Sequence, residues 1–230
     1  MVSIIIPTLN AARDLPACLS ALMPGVLSGL VREVVISDGG SDDPVADIAD
    51  ASGARFICTA PGRGAQLAAG ADVAKGDWLL FLHADTGLAP DWPKNVSTFI
   101  AATGTARRAG YFQLGFDSPK KAARRVARGA NLRAKIFKLP YGDQGLLIRK
   151  HHYASLGGYQ PLPLFEDVDL VRRLVKTDGR ASLVALQSKA ITSPDRYERD
   201  GYTKRVLKNF TYITRYFLGI APEKIAAKYQ

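Results

Sequence analysis

Four short apolar runs, each closed by a turn and followed by a helix-like stretch, constrain this chain more than any other feature. Val2–Ile6 is wholly apolar and stops at Pro7; Glu33–Ser37 reads EVVIS; Arg55–Cys58 and Trp78–Leu82 (WLLFL) follow. Runs that are apolar at consecutive positions are strands buried on both faces, and strands alternating with helices of about ten residues make βαβ units and a parallel sheet. Asp14 with Pro16 opens the first intervening helix. Asp43 reads as the N-cap and Pro44 as the first residue of the second. Gly62-Arg63-Gly64 opens an alanine-rich third, running to Ala74. Ligands of such sheets bind beyond the carboxyl ends of the strands. Those ends carry Pro7-Thr8, Asp38, and His83 with Asp85.

Beyond a further helix after Pro90 the pattern changes. Gly110–Phe116 reads as a longer, more exposed strand and Pro119–Phe137 as a very basic helical stretch. Gly142–Ile148 reads as a strand, and Glu166–Lys176 and Asp200–Leu218 as amphipathic helices. No repeat or Ser/Pro linker separates the halves, so residues 1–230 read as one unit. Charge does separate them: residues 1–103 hold 6 basic and 11 acidic side chains, residues 104–230 hold 25 and 10. The chain as a whole carries a formal +10, with 47% hydrophobic and 23% charged residues, which is ordinary for a globular protein.

Cys18 and Cys58 stand outside any CxxC or Cys/His cluster. They read as small buried hydrophobes in a reducing compartment, with no disulfide framework or structural zinc. The start MVSIIIPTLN lacks a basic n-region and Pro7 interrupts its apolar run, so it does not read as a signal peptide. No window approaches the roughly 18 apolar residues of a spanning helix. The expectation is a cytoplasmic protein, with peripheral contact at the inner face of the membrane left open.

Several polar groups stand where chemistry could use them. Asp85 ends an apolar strand, and is either a metal ligand or substrate contact, or a cap for the next turn. Asp38 begins the loop DGGSDD, whose glycines let a ligand approach the backbone; the alternative is a turn residue. Arg63 sits at a helix N-terminus, where anions are favoured. Leu67 replaces the last glycine of a dinucleotide fingerprint and there is no Walker A loop, which disfavours a NAD enzyme and a P-loop NTPase. Glu166, Asp167 and Asp169 crowd the start of one helix. They either complement its dipole or include a general base with a raised pKa. Asp143 and Gln144 form a polar cluster before an apolar strand. His151 and His152 are adjacent, point apart, and read as surface or capping residues.

Taken together these segments resemble the family 2 glycosyltransferases, with the GT-A fold, essentially end to end. VSIIIPTLN resembles the opening strand and VVISDGGSDD the second-strand acidic loop. GRGAQLAAGADVAKGDWLLFLHADT is similar to the donor-binding helix and the strand leading to the acidic metal motif. GDQGLLI and GGYQPLPLFEDVDLVRRL are similar to the acceptor-side segments. FLHADT, YGDQG, EDVDLVRRL and SPDRYERDGY more narrowly resemble a bacterial subgroup of radical-SAM/selenodomain-associated, arsenosugar-type transferases. The resemblance implies a Rossmann-like, mostly parallel nucleotide-binding sheet flanked by helices, with donor half 1–103 and acceptor half 104–230.

It also implies roles. Pro7 and Thr8 would line the nucleobase pocket, Asp38 would contact base or ribose, and Arg63 would reach base or diphosphate. Asp85 would hold a divalent cation, Mn²⁺ or Mg²⁺, against the diphosphate of a UDP-sugar or other nucleotide sugar. Asp167 would be the catalytic base of an inverting transfer, with Glu166, Asp143, Gln144 and Arg196 on the sugar or acceptor side. Two positions depart from the family pattern. His83-Ala84-Asp85 stands where Asp-x-Asp is common, leaving His83 to bond the ribose, ligate the metal or pack. Asn10-Ala11 stands where Asn-Glu is frequent. The Gln-x-x-Arg-Trp motif of processive relatives is absent, with Asp195-Arg196-Tyr197 in its place, which favours a single transfer.

Eight Lys/Arg and no acid lie between Lys120 and Lys138. They form either a solvated helix face or a surface that attracts an anionic acceptor or anionic lipid. The aromatic and basic last helix suits interfacial membrane binding, core packing or a homodimer contact. The rival readings are a nucleotidyltransferase on a similar sheet, which TLNAARD does not support with a basic glycine loop, and a non-catalytic basic binding module. Nucleic-acid binding is disfavoured by the acidic strand tips and the lack of RNP, KH or zinc-finger motifs.

Overall fold

The computed structural model describes residues 1–227. Its first half is the expected alternation: β1 (Val2–Thr8), α1 (Leu15–Leu27), β2 (Val31–Asp38), α2 (Val45–Ala51), β3 (Arg55–Cys58), α3 (Arg63–Val73) and β4 (Trp78–Phe81). The chain continues through β5 (Thr86–Leu88), α4 (Trp92–Thr103), β6 (Ala109–Phe116), α5 (Lys121–Phe137), β7 (Leu146–Arg149) and α6 (Lys150–Ser155). It ends with α7 (Glu166–Asp178), β8 (Leu183–Thr192), α8 (Asp195–Asp200), α9 (Tyr202–Phe217) and α10 (Pro222–Ala226). The eight strands of the described residues join one sheet in the order β3-β2-β1-β4-β7-β6-β8-β5. β3, β2, β1 and β4 run parallel; β7 pairs antiparallel with both β4 and β6, and β8 lies parallel to β6.

The period-2 geometry of β1 explains the core. Ile4 and Ile6 point to one face, against Leu15, Leu22 and Trp92, while Ile5 points to the other, against Leu67 and Leu79. Each such fully buried side chain contributes about 1.5–3 kcal/mol. On α5 the inward face is Ala123, Ala127, Ala130 and Ala134, which leaves its cations outside. No helix among the described residues is long and apolar enough to cross a membrane.

Several local expectations are corrected. Asp43 does not cap α2; its Oδ2 accepts from the Ala12 N–H at 2.7 Å, tying that loop to the end of β1 instead. β6 is mostly buried, because it lies between β7 and β8. The strand expected over 142–148 instead runs Leu146–Arg149, since Gly142–Gln144 forms a 3-10 turn. Asp195–Asp200 is a helix of its own, separated from α9 by Gly201, which has φ 84°. Cys18 is buried but Cys58, at the end of the edge strand β3, is exposed. His152 is neither a surface residue nor a cap: it is buried, and its Nε2 lies 2.8 Å from Asp178 Oδ2.

Candidate active site

A cavity of about 140 Å³ opens beyond the end of β4, and seven carboxylate, imidazole or guanidinium side chains from distant parts of the sequence line it: Arg63, His83, Asp85, Asp143, Asp167, Arg196 and Arg205. Short elements place them. β4 stops at Phe81, and the next residues carry His83 and Asp85 out of the sheet. The turn before β7 presents Asp143, the first turn of α7 presents Asp167, and α3 begins at Arg63. Phe165 enters α7 with φ 66°, a left-handed conformation that a non-glycine residue rarely holds. Its ring lies 4.9 Å from that of Tyr216, and both Phe165 and Asp167 face the cavity.

Two glycines permit this convergence. A Cβ on Gly142 would stand 2.6 Å from His83 Nε2 and 3.3 Å from Asp167 Oδ2. A Cβ on Gly64 would stand 2.2 Å from the Gln160 carbonyl oxygen, so α3 could not approach that loop as it does. Asp167 is fixed by its neighbours: Oδ2 accepts from the Gly142 N–H at 2.5 Å and Oδ1 from the Val168 N–H at 2.7 Å. Glu166 beside it is 1% exposed and ion-paired with Arg63.

The electrostatics separate these groups. Burial, reinforced by the Arg63 cation, pulls His83 down to about 4 against the opposing pull of Asp85 and Asp167, so its imidazole is neutral at pH 7. Burial pushes Asp143 up to about 6; Arg133 opposes this, and Asp167 and Asp85 add to it. Burial likewise raises Glu166, against the Arg63 cation. Asp38 goes the other way. Hydrogen bonds from Ser41, Thr8 and the Gly40 N–H outweigh the effect of burial and hold it below its usual range.

The cavity gathers Arg63, His83, Asp85, Asp143, Asp167 and Arg196. It does not gather Pro7, Thr8 and Asp38, which lie at the neighbouring strand tips. There Thr8 pairs in register with Asp38, and Thr8 Oγ1 donates to Asp38 Oδ1 at 2.8 Å. Asp38 also accepts from Ser41 Oγ and from the Gly40 and Ser41 N–H groups, which is the turn role. Gln144 is corrected outright. It is fully buried away from the cavity, with Nε2 donating to the Phe112 carbonyl at 3.1 Å and to Asn131 Oδ1 at 3.3 Å, so it ties the turn to β6 and α5. Sequence reasoning missed Arg205, Asn209 and Tyr212, which line the cavity from α9. The available signal was Arg205 and Asn209 interleaved with aromatic residues in one amphipathic segment.

The donor set fits a divalent cation of one kind only. Among the described residues no group of three or more His, Cys, Asp or Glu could hold a metal. Asp85 Oδ1 meets Thr86 Oγ1 at 3.2 Å and Thr192 Oγ1 at 3.5 Å, while Oδ2 has no donor among the described residues. One carboxylate with hard oxygens suits Mg²⁺ or Mn²⁺ that arrives with substrate phosphates, not an ion caged by protein alone.

A mixed α/β sheet with a cluster of acids and arginines at the end of its central strand defines an enzyme-like cleft for an anionic, oxygen-rich ligand. The family follows from the sequence: residues 3–151 match the model of glycosyl transferase family 2, and the chain belongs to that family. A PGL/p-HBAD biosynthesis glycosyltransferase of Mycobacterium tuberculosis is 43% identical over 108 residues, covering 44% of this chain and 41% of that protein. The chain thus spans about two fifths of the length of the curated relatives it matches. Among solved structures, glucosyl-3-phosphoglycerate synthase from M. tuberculosis in complex with Mn²⁺, UDP and glucosyl-3-phosphoglycerate superposes with a TM-score of 0.56. It is 21% identical, over 84% of this chain and 70% of that one. TarS of S. aureus superposes with a TM-score of 0.60 at 14% identity, over 83% of this chain and 57% of that one. These likenesses show a GT-A fold.

Proposed function

We propose that the protein moves a sugar from a nucleotide-diphosphate sugar, UDP-linked as in the synthase structure, to an acceptor hydroxyl in one inverting, non-processive displacement. The observation that supports this most is the single cavity joining Asp85, with an oxygen open to a ligand, to Asp167, held in place by two backbone N–H groups. Residues 1–230 act as one unit in this reading, consistent with the continuous sheet.

Asp167 accepts the acceptor's hydroxyl proton as that oxygen attacks the anomeric carbon. The bond from that carbon to the diphosphate oxygen breaks, and its electron pair leaves with the nucleoside diphosphate. Arg63 holds the diphosphate oxygens, and Arg196 lies on the sugar or acceptor side. A divalent cation at Asp85 would supply Lewis-acid stabilisation of the leaving group. Neutral His83 hydrogen-bonds the ribose, in place of the carboxylate common at that position. Asp143 faces the sugar or acceptor, and Glu166, buried outside the cavity lining, serves that side by holding Arg63. Pro7, Thr8 and Asp38 shape the nucleobase side, Asp38 by ordering the loop that follows β2. The narrower arsenosugar-type assignment rests on the FLHADT, YGDQG and EDVDLVRRL segments alone.

Titration calorimetry of UDP with and without Mn²⁺ tests this reading. Wild type binds UDP in a Mn²⁺-dependent way and Asp85→Ala loses that dependence; Mn²⁺-independent or unchanged binding refutes the metal role.

A further inference from the structure

A second concavity, larger than the catalytic cavity, lies beside it. A groove of about 1260 Å³ runs between α5, α7 and α9, larger than the few hundred to about 1,000 Å³ of ordinary small-molecule sites. Its walls carry exposed apolar side chains: Phe137 at 69%, Leu207 at 61%, Phe210 at 67% and Phe217 at 49% exposure. Apolar surface of this extent on a folded protein marks a binding site.

Three observations say what fits it. First, the groove opens into the catalytic cavity: Tyr141, Asp143, Tyr197 and Asn209 line both. At that junction Asp143 Oδ1 and Asn209 Oδ1 are buried oxygens without a hydrogen-bond donor among the described residues, and a hydroxylated head would satisfy them. Second, cations line the groove, including Arg125, Arg172 and Lys176. Its two acids are Asp169, already paired with Arg173, and Asp143 at the junction. Neither Arg125 nor Lys176 is ion-paired with a described residue. Third, the walls are almost entirely helical, so their backbone N–H and C=O groups are engaged within the helices and offer no edge to an extended peptide. What remains is apolar contact along the length and positive charge at the margin.

We propose that the acceptor is an anionic amphiphile with a hydroxylated phosphate head: its alkyl chain lies in the groove, its phosphate meets the cations at the margin, and a free hydroxyl of the head reaches Asp167 and gives up its proton there. This rests on the sugar-transfer reading above and names its acceptor class. The transfer is the displacement already described, with the lipid oxygen as nucleophile.

The test uses the intact chain and dodecyl phosphate below its micellar concentration, followed by calorimetry, with Mn²⁺-UDP binding measured on the same samples. Wild type should bind dodecyl phosphate at least 100-fold more tightly than inorganic phosphate, and more tightly than uncharged dodecyl maltoside. Phe210→Asp and Leu207→Asp, at exposed positions that folding tolerates, should each weaken it at least tenfold and leave Mn²⁺-UDP binding unchanged. Absent binding of dodecyl phosphate, or binding that neither variant alters, overturns the proposal. So does sedimentation showing a dimer that Phe210→Asp dissociates, because a second copy then fills the groove. Binding only to vesicles containing 30% phosphatidylglycerol, without binding of dispersed dodecyl phosphate, also overturns it in favour of a membrane-facing surface. Loss of Mn²⁺-UDP binding alone would instead count against the sugar-transfer reading and leave the groove assignment standing.

Discussion

The backbone N–H of Gly142 donates to Asp167 Oδ2 at 2.5 Å, across 25 residues of chain. One contact therefore joins the turn before β7 to the first turn of α7, and it orients the carboxylate proposed to take the acceptor's proton. The same glycine leaves room for His83, whose Nε2 occupies the side that a Cβ would invade.

Gly142→Ala should therefore damage the site more than the fold. Overpacking of this kind typically costs about 1–3 kcal/mol. Transfer should fall more than tenfold, while circular dichroism still reports a folded protein. Wild-type turnover in the alanine variant would show that neither His83 nor Asp167 needs its present position.

Asp167→Asn keeps the shape and an acceptor oxygen for the Gly142 N–H but removes the base. Turnover should fall by roughly 10²–10⁴, the usual contribution of a positioned acid or base. Mn²⁺-dependent UDP binding should persist. Single-turnover transfer at the wild-type rate would exclude Asp167 as the base.

The Asp143 carboxyl ionises near pH 6 in the folded protein, against an ordinary value of 3.8. Between about pH 4 and 6 the unfolded chain gives up this proton while the folded chain retains it. Stability thus falls as pH rises through that window, and the penalty is complete above it. Arg133 and Arg63 temper the penalty; Asp167 and Asp85 add to it. Asp143→Asn, with metal removed by EDTA, should stabilise the protein at pH 7.5 by on the order of 1–3 kcal/mol and have little effect at pH 3.5. Urea midpoints at the two pH values measure the difference; equal shifts at both would contradict the raised pKa.

Arg63→Met strands a buried carboxylate. Glu166 is 1% exposed and its Oε2 already lacks a hydrogen-bond donor among the described residues, so losing the guanidinium should cost about 1–3 kcal/mol at pH 8. Adding Glu166→Gln should recover most of it, since a neutral amide has no charge left to bury. A double variant no more stable than Arg63→Met would assign the loss to packing by the arginine stem.

The sequence by itself determined the donor-side architecture. Val2–Ile6, EVVIS, Arg55–Cys58 and WLLFL became β1 to β4 within a few residues of their expected bounds, because continuous apolar runs have no stable home except a sheet covered on both faces. It also marked Arg63, His83, Asp85, Asp143 and Asp167, because polar groups at strand ends and helix starts are visible in one dimension; Arg196 was marked through the family resemblance alone. β5 and β8 were not legible. Thr86–Leu88 and Leu183–Thr192 become strands by pairing with each other, and β8 also with β6, all across long stretches of chain. Gln144 and Asp38 show the same limit. The hydrogen bonds of both are used internally, by Phe112 and Asn131 for one and by Thr8, Gly40 and Ser41 for the other, and no one-dimensional pattern shows those partners. The basic stretch between Lys120 and Lys138 was plain as charge, but its apolar neighbour was not. Only the packing of α5 beside α9 creates a groove, because a concavity belongs to the space between elements and no single segment encodes it.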